Sequence, residues 1–319
     1  VELFPSNSNI NFMKLRHVTL GLTAFICLAS LVLLATKGFN FALDFTGGTA
    51  TELKFEQPVE VEQVRERLEA AGFKGAVVQT FGTGNDIVVR LQPEEVVEGR
   101  PALTGEQGGA AILAAAQTAD NPGVVLRSDF VGPQIGNELA INGVYAALFV
   151  AFGFLAYIWA RFELKFAIAA IITTLTDVLV VSGWFALTGH DFDLTVLAGI
   201  LSVMGFSIND TIVVFDRVRE NFRTLNKLEP REILNRSVNQ TLSRTIITSF
   251  VAFLTILALY LYGGQSLKGM AEAQLIGVVF GTLSSIFVAC PLLLAMGVNK
   301  QDLMPKARDD IEAELARRP

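Results

Sequence analysis

Two cysteines and two histidines in 319 residues are too few for a disulfide framework or a metal centre. Cys27 and Cys290 both fall inside apolar runs as small lipid- or core-facing residues, and His17 and His190 fall at opposite membrane edges, too far apart for a metal centre. The chain has no GxxxxGK[ST] motif or other phosphate-cradling loop, which excludes a P-loop nucleotide engine. Charged residues are only 18% of the chain, and the most hydrophilic block, Gly38 to Asn137, is short of Lys and Arg. It carries 14 acidic and 7 basic side chains, a net of -7 against -6 for the whole chain. That deficit argues against a nucleic acid or an anionic lipid surface as partner. No cofactor, metal or catalytic residue is expected, and the chain is not read as an enzyme.

What the chain has in quantity is apolar length. It is 51% hydrophobic, with a mean hydropathy of +0.48, and runs of about 20 apolar residues can each cross a bilayer. Six are read, at Val18 to Thr36, Ile141 to Ala160, Leu164 to Thr188, Leu194 to Phe215, Thr245 to Tyr262 and Ala271 to Val298. The last is interrupted by Gly277, Gly281 and Pro291, so a tilt or kink is expected there. The first has a basic lead-in, Lys14 and Arg16, but a long apolar core and no small-x-small cleavage site, and reads as an uncleaved signal anchor.

Basic residues set the orientation. Lys14, Arg16, Arg161, Lys165 and the cluster Arg217, Arg219, Arg223, Lys227, Arg231 and Arg236 belong on the cytoplasmic side, with Lys300, Lys306 and Arg308 returning the C-terminus there. The expected organisation is a cytoplasmic N-terminus (1–17), a first span (18–36), an extracytoplasmic domain with connectors (37–140), five further spans (141–298) enclosing a cytoplasmic hairpin (216–243), and a cytoplasmic tail (299–319). The hairpin is expected to hold two short amphipathic helices, Arg217 to Leu225 and Pro230 to Leu242.

The extracytoplasmic block is large enough for one small domain. Thr49 to Glu56 alternates like a strand, and Val61, Val64, Leu68 and Ala71 mark one helix face ended by Gly72. Ala76 to Phe81 and Ile87 to Leu91 read as strands joined by a turn from Gly82 to Asp86. Glu106 to Ala119 reads as a helix and Val124 to Val131 as a last strand. The order is βαββαβ, a split ferredoxin-like α+β arrangement. Such a domain can bind an extended polypeptide by strand addition or simply support a partner's domain. Asp44-Phe45-Thr46-Gly47-Gly48 leads into it and Phe130-Val131-Gly132-Pro133 leads out, both reading as sharp turns.

Asp210 is the anomaly. It lies in an otherwise apolar span, where an ionised carboxylate costs ~2.5–3.5 kcal/mol on insertion scales. Ser207, Asn209 and Thr211 surround it, and Gly199 and Gly205 on the same run let another helix approach. Arg244 is the natural partner, about level with Asp210 on the next span, with Thr241, Thr248 and Val251 on its face; Thr245 and Ser249 are nearby. Asp177, flanked by Thr173, Thr174 and Thr176, is a weaker second member of the track, without an evident cation. Glu272 is read as interfacial. An acid that exchanges a proton beside an Arg and hydroxyl groups is the minimum for proton-coupled work, and each proton crossing the membrane potential releases ~2.3 kcal/mol per 100 mV.

From Gly38-Phe39-Asn40 and DFTGG, through FVGP, to GFSINDTIVVFDRVREN (Gly205 to Asn221) and SRTIITS around Arg244, the sequence resembles the SecD/SecF family over nearly its whole length. These are membrane subunits of the bacterial Sec protein translocase, within the resistance-nodulation-division superfamily. The resemblance implies an inner-membrane accessory that uses the proton-motive force to assist late preprotein translocation. It implies a SecD-like partner supplying the other half of a pseudo-twofold assembly, association with the SecY, SecE and SecG translocon and with YajC or YidC, and unfolded preprotein on the extracytoplasmic side. The family's intramembrane Asp maps onto Asp210 and its Arg onto Arg244; Asp44, Gly47, Gly48, Gly132, Pro133, Arg217, Arg219, Glu220 and Asn221 fall in its motifs. In relatives a His often precedes the third-span acid, whereas Thr176 stands before Asp177. Two other readings stay open: a proton-coupled exporter half for small molecules, and a structural stabiliser in which Asp210 and Arg244 form a static pair. Against the exporter stand the single six-span half and one small external domain.

Overall fold

The computed structural model describes residues 10–81, 84–91, 105–225 and 228–299. Lys227, Lys300, Lys306, Arg308, most of the tail 299–319 and part of the turn from Gly82 to Asp86 lie outside them. In chain order the elements are α1 (Arg16–Thr36), β1 (Asn40–Phe41), α2 (Leu43–Thr46), β2 (Gly48–Phe55), α3 (Val61–Ala70), β3 (Val77–Phe81), β4 (Asp86–Leu91), α4 (Gly105–Ala116), β5 (Gly123–Val131), α5 (Pro133–Arg161), α6 (Leu164–Thr188), β6 (Asp191–Phe192), α7 (Leu194–Thr224), α8 (Pro230–Tyr262), α9 (Gln265–Ser284) and α10 (Cys290–Ala295). A 3-10 turn, Phe12–Lys14, precedes α1, and a π-turn, Ser285–Ala289, separates α9 from α10. Two units result: Val1–Asn40 with Ala147–Pro319, and Phe41–Ala146.

In the second unit the strand order is β3-β4-β2-β5, each neighbour antiparallel. Both βαβ crossovers therefore skip one strand, the split arrangement expected from the pattern. Alternation along β2 sends Leu53 and Phe55 inward, where they meet Val64 and Leu68 of α3, Ile87 and Val89 of β4, and Ile112 and Ala116 of α4. The Ala-rich α4 packs closely because Gly109 has no side chain: a Cβ there would lie 2.9 Å from Ser128 Cβ. The two glycine motifs come together. Gly48 pairs with Val131 at the ends of β2 and β5, and Gly136, in the first turn of α5, packs on Gly47, whose backbone N is 2.8 Å from where a Cβ would be. Gly47 and Gly48 sit at φ 68° and 114°, which side chains other than glycine rarely tolerate.

The first unit is helical. Among the described residues, Arg16–Thr36, Gln134–Arg161, Leu164–Thr188, Leu194–Thr224, Pro230–Tyr262 and Ser266–Ala295 are long and apolar enough to cross a membrane, which makes this a multi-pass membrane protein. The third, fourth and sixth of these bury about half of their apolar length, whereas the first, second and fifth leave nearly all of theirs exposed.

The hairpin departs from expectation. Its two short helices are continuations of α7 and α8, because nothing between Phe215 and Thr224, or after Pro230 as far as Thr245, is a Gly or Pro that would stop a helix.

The glycines of the last span also play a different part. They line a seam against α7: a Cβ on Gly277 would strike Val203 and one on Gly269 would lie 2.7 Å from Val196 Cγ2, while on the α7 side one on Gly199 would lie 2.9 Å from the Met270 carbonyl oxygen. In a bilayer, such close backbone approach is what draws helices together. The break in the helix falls at the π-turn. Pro291 has no N–H and its ring opposes the carbonyl four residues earlier, and the wider turn before it removes that conflict.

Gly277→Ala should lower the thermal stability of the purified protein by ~1–3 kcal/mol, the usual cost of overpacking. Val203→Ala in the same chain should restore most of the loss. An unchanged melting temperature in the single variant would mean that the seam is looser than described.

Candidate ion-coupling site within the membrane

Asp177 on α6 and Asp210 on α7 are both buried, at 1% and 3% exposure. Ser207, one turn before Asp210 on α7, donates to Asp177 Oδ2 at 2.5 Å, and Ser284, the last residue of α9, donates to the same oxygen at 2.9 Å. Gly281 leaves space for this: its Cβ would lie 3.7 Å from Asp177 Oδ2 and from Ser207 Cβ. Asp210 Oδ2 accepts from Ser249 of α8 at 3.4 Å. Four helices thus converge on two carboxylates, with Ser207 joining one acid to the helix of the other. Asp177 Oδ1 and the hydroxyls of Thr174, Thr211 and Thr245 are buried with no hydrogen-bond partner among the described residues.

Not every sequence-selected residue faces this centre. On α8 the inward face is Thr241, Thr245 and Ser249, all buried, while Arg244 and Thr248 are exposed. The hydroxyl of Thr248 donates to the Arg244 and Thr245 carbonyls of its own helix. Asn209 is exposed as well. Arg244 influences Asp210 electrostatically, yet no ion pair within 4.0 Å joins them among the described residues. Their levels do match. Asp210 stands fourteen residues before the end of α7 and Arg244 fourteen after the start of α8, about 21 Å along each helix. Ser249 and Ser284, which carry the hydrogen bonds, gave no sequence signal beyond being hydroxyls in apolar runs.

The matched levels are held from below by the motif that follows the apolar part of α7. Asp216 pairs with Arg161 at 3.1 Å and Arg219 with Glu163 at 2.8 Å, both arginines stacking over Phe162 at 5.3 and 5.5 Å. Across the hairpin, Arg217 and Asn221 each donate to Gln240 Oε1 at 2.8 Å, and Asn221 also donates to Ser237 at 2.8 Å. Arg217 further pairs with Glu220 at 2.6 Å. Gln240 lies one turn before Arg244, so this clamp fixes α7 against α8 close to Asp210 and Arg244. Asp44, in the other unit, lies within electrostatic reach of Arg127.

The sequence family described as protein export membrane protein SecD/SecF, C-terminal, matches residues 112–299, and the SecD/SecF GG motif matches residues 32–59. The chain belongs to the SecD/SecF family. It is 40% identical to the protein translocase subunit SecF of Vibrio alginolyticus over 319 residues, covering 100% of this chain and 99% of that one. It is 44% identical to SecF of Pseudomonas aeruginosa, covering 95% and 97%. The crystal structure of SecDF, a translocon-associated membrane protein from Thermus thermophilus, superposes with a TM-score of 0.81 at 38% identity over 92% of this chain. This chain spans 39% of that SecDF chain. The family's GG motif is thus the Gly47–Gly48 turn packed on Gly136.

Asn221→Ala removes the donor to both Ser237 and Gln240 inside a largely buried network. Loss of such bonds costs ~1–3 kcal/mol, so the purified protein should melt at a lower temperature, and the Gln240→Ala change should then add little. Additive losses would contradict a shared network.

Proposed function

We propose that this chain is the SecF-type accessory of the Sec export machinery, assisting late translocation of preproteins across the cytoplasmic membrane at the expense of the proton-motive force. Asp210 takes and releases the proton, and Arg244 supplies the opposing charge. The single observation that carries the proposal is a buried carboxylate on α7 with a level arginine on α8 that, among the described residues, makes no ion pair with it. A static bridge would have closed that distance. Full-length similarity to proteins named protein translocase subunit SecF supports the machinery to which the site belongs.

In this reading a SecD-like subunit covers the exposed polar side chains Asn209, Arg244 and Thr248. Polar groups in contact with hydrocarbon are costly, and a second helical bundle relieves them. The SecDF relative, with additional chain beyond the part matched here, is consistent with such a partner. Association with SecY, SecE and SecG, and with YajC or YidC, belongs to the same proposal, as does contact between unfolded preprotein and the α+β domain. Both termini and the α7–α8 hairpin face the cytoplasm, following the distribution of Lys and Arg.

Asp210→Asn keeps the size of the side chain but cannot ionise. In inverted vesicles it should abolish stimulation of export by a proton gradient while the complex assembles in normal amount. Arg244→Ala should do the same, and Arg244→Lys should keep part of the response because charge returns without the planar fork. A static ion pair predicts instead a loss of folded protein, at ~3–5 kcal/mol. Full gradient response in Asp210→Asn vesicles would end the proposal.

Orientation has its own check. Single cysteines replacing Asp120 and Glu229, both exposed, should react with an impermeant reagent from opposite faces in a chain lacking Cys27 and Cys290. Reaction from one face would reverse the assignment of one loop.

A further inference from the structure

Asp177 lacks the countercharge that a permanently ionised carboxylate in a bilayer requires. Among the described residues no Lys, Arg or His pairs with it, and both of its hydrogen bonds fall on Oδ2 while Oδ1 has no partner. Its two donors differ in one respect. Ser284 has a second acceptor within reach, the Gly281 carbonyl oxygen at 3.0 Å. Ser207 has no second acceptor among the described residues. A serine hydroxyl rotates freely and can accept as well as donate.

We propose that Asp177 is a second reversible proton site of this protein, switched by rotation of the Ser284 hydroxyl between the Asp177 carboxylate and the Gly281 carbonyl. The inference rests on the proton-coupled reading of Asp210. In the ionised state Ser207 and Ser284 both donate to Oδ2 and tie α6 to α7 and α9. A proton arriving from water on the side of higher proton activity forms an O–H bond on the carboxyl group. Ser284 then turns its hydrogen to the Gly281 carbonyl and presents a lone pair to the new O–H, while Ser207 continues to donate. Release of the proton to water on the other side restores the first arrangement.

The surroundings suit this role. From α1 the ionisable group facing Asp177 is Cys27; α7 contributes Ser207, with Asp210 one turn further along the same helix; and among the described residues α9 contributes Ser284 and the bare Gly281. Thr174, one turn earlier on α6, is buried with its hydroxyl uncommitted. Since Ser207 stands one turn from Asp210, the charge on Asp177 acts on the helix that carries the first acid. Two carboxylates, each able to take a proton, then bear on one helix, α7.

Infrared difference spectroscopy on the purified complex with its SecD-like partner, recorded between acidic and alkaline buffers, tests this directly. In an Asp210→Asn chain a protonated-carboxyl band should remain. It should move in Asp177→Glu, which preserves the acid, and vanish in Asp177→Asn. Ser284→Ala should change its frequency, because the hydrogen-bond partner of the protonated form is gone. In vesicles, Asp177→Asn should reduce gradient-stimulated export at least several-fold, with Asp177→Glu keeping a measurable part. Absence of a band assignable to Asp177 at any buffer pH, or full gradient response in Asp177→Asn, overturns the proposal. If the band behaves as stated but native vesicles ignore the gradient, the proton site stands and the transport reading falls.

Discussion

An acidic side chain out of reach of water keeps its place only when neighbouring helices bring hydrogen-bond donors to it. Here those donors arrive on α7, α8 and α9, and the helix packing can be understood as the means of delivering them. The glycine seam between α7 and α9 brings Ser284 close enough to touch Asp177. The hairpin clamp of Arg217, Asn221 and Gln240 holds α8 so that Ser249 meets Asp210. Remove the close approach and the carboxylates lose their partners before the helices lose their apolar contacts.

The same economy explains the unequal burial of the six spans. The helices that bear the acids and Ser284 are half enclosed by their own chain, whereas α1, α5 and α8 present apolar surface outward. On α8 this outward surface also carries Arg244 and Thr248. An exposed arginine at that level is tolerable when a second bundle, or water between bundles, lies against it.

Asp210 was legible in the sequence because a carboxylate in an apolar run is an energetic anomaly wherever it occurs. The six spans and the βαββαβ order were legible for a related reason, since apolar length and strand alternation are local properties. The partners of the acids were not. Serines and threonines in spanning helices routinely bond to carbonyls of their own turn, as Ser249 does to Thr245 at 2.7 Å, so a hydroxyl in an apolar run carries no mark of a second partner. On α8, the choice between Thr241, Arg244 and Thr248 or Thr241, Thr245 and Ser249 as the inward face turns on a one-residue step, about 100° of helix. Packing decides it. Gly136 was missed because its contact with Gly47 depends on two chain segments meeting, which no local pattern encodes.

The π-turn at Ser285–Ala289 carries one further consequence. Before it, α9 is set in phase by glycines that must face Val196 and Val203. After it, Cys290 and Leu293 are fully buried in the core that also takes in Phe12 and Met13. A regular helix would lock these two phases together. The wide turn admits an extra residue, acting as a vernier between one section tuned to the hydrogen bond from Ser284 to Asp177 and another tuned to simple cohesion. Sequence drift in the second section can therefore be absorbed without rotating Ser284 out of reach of its carboxylate.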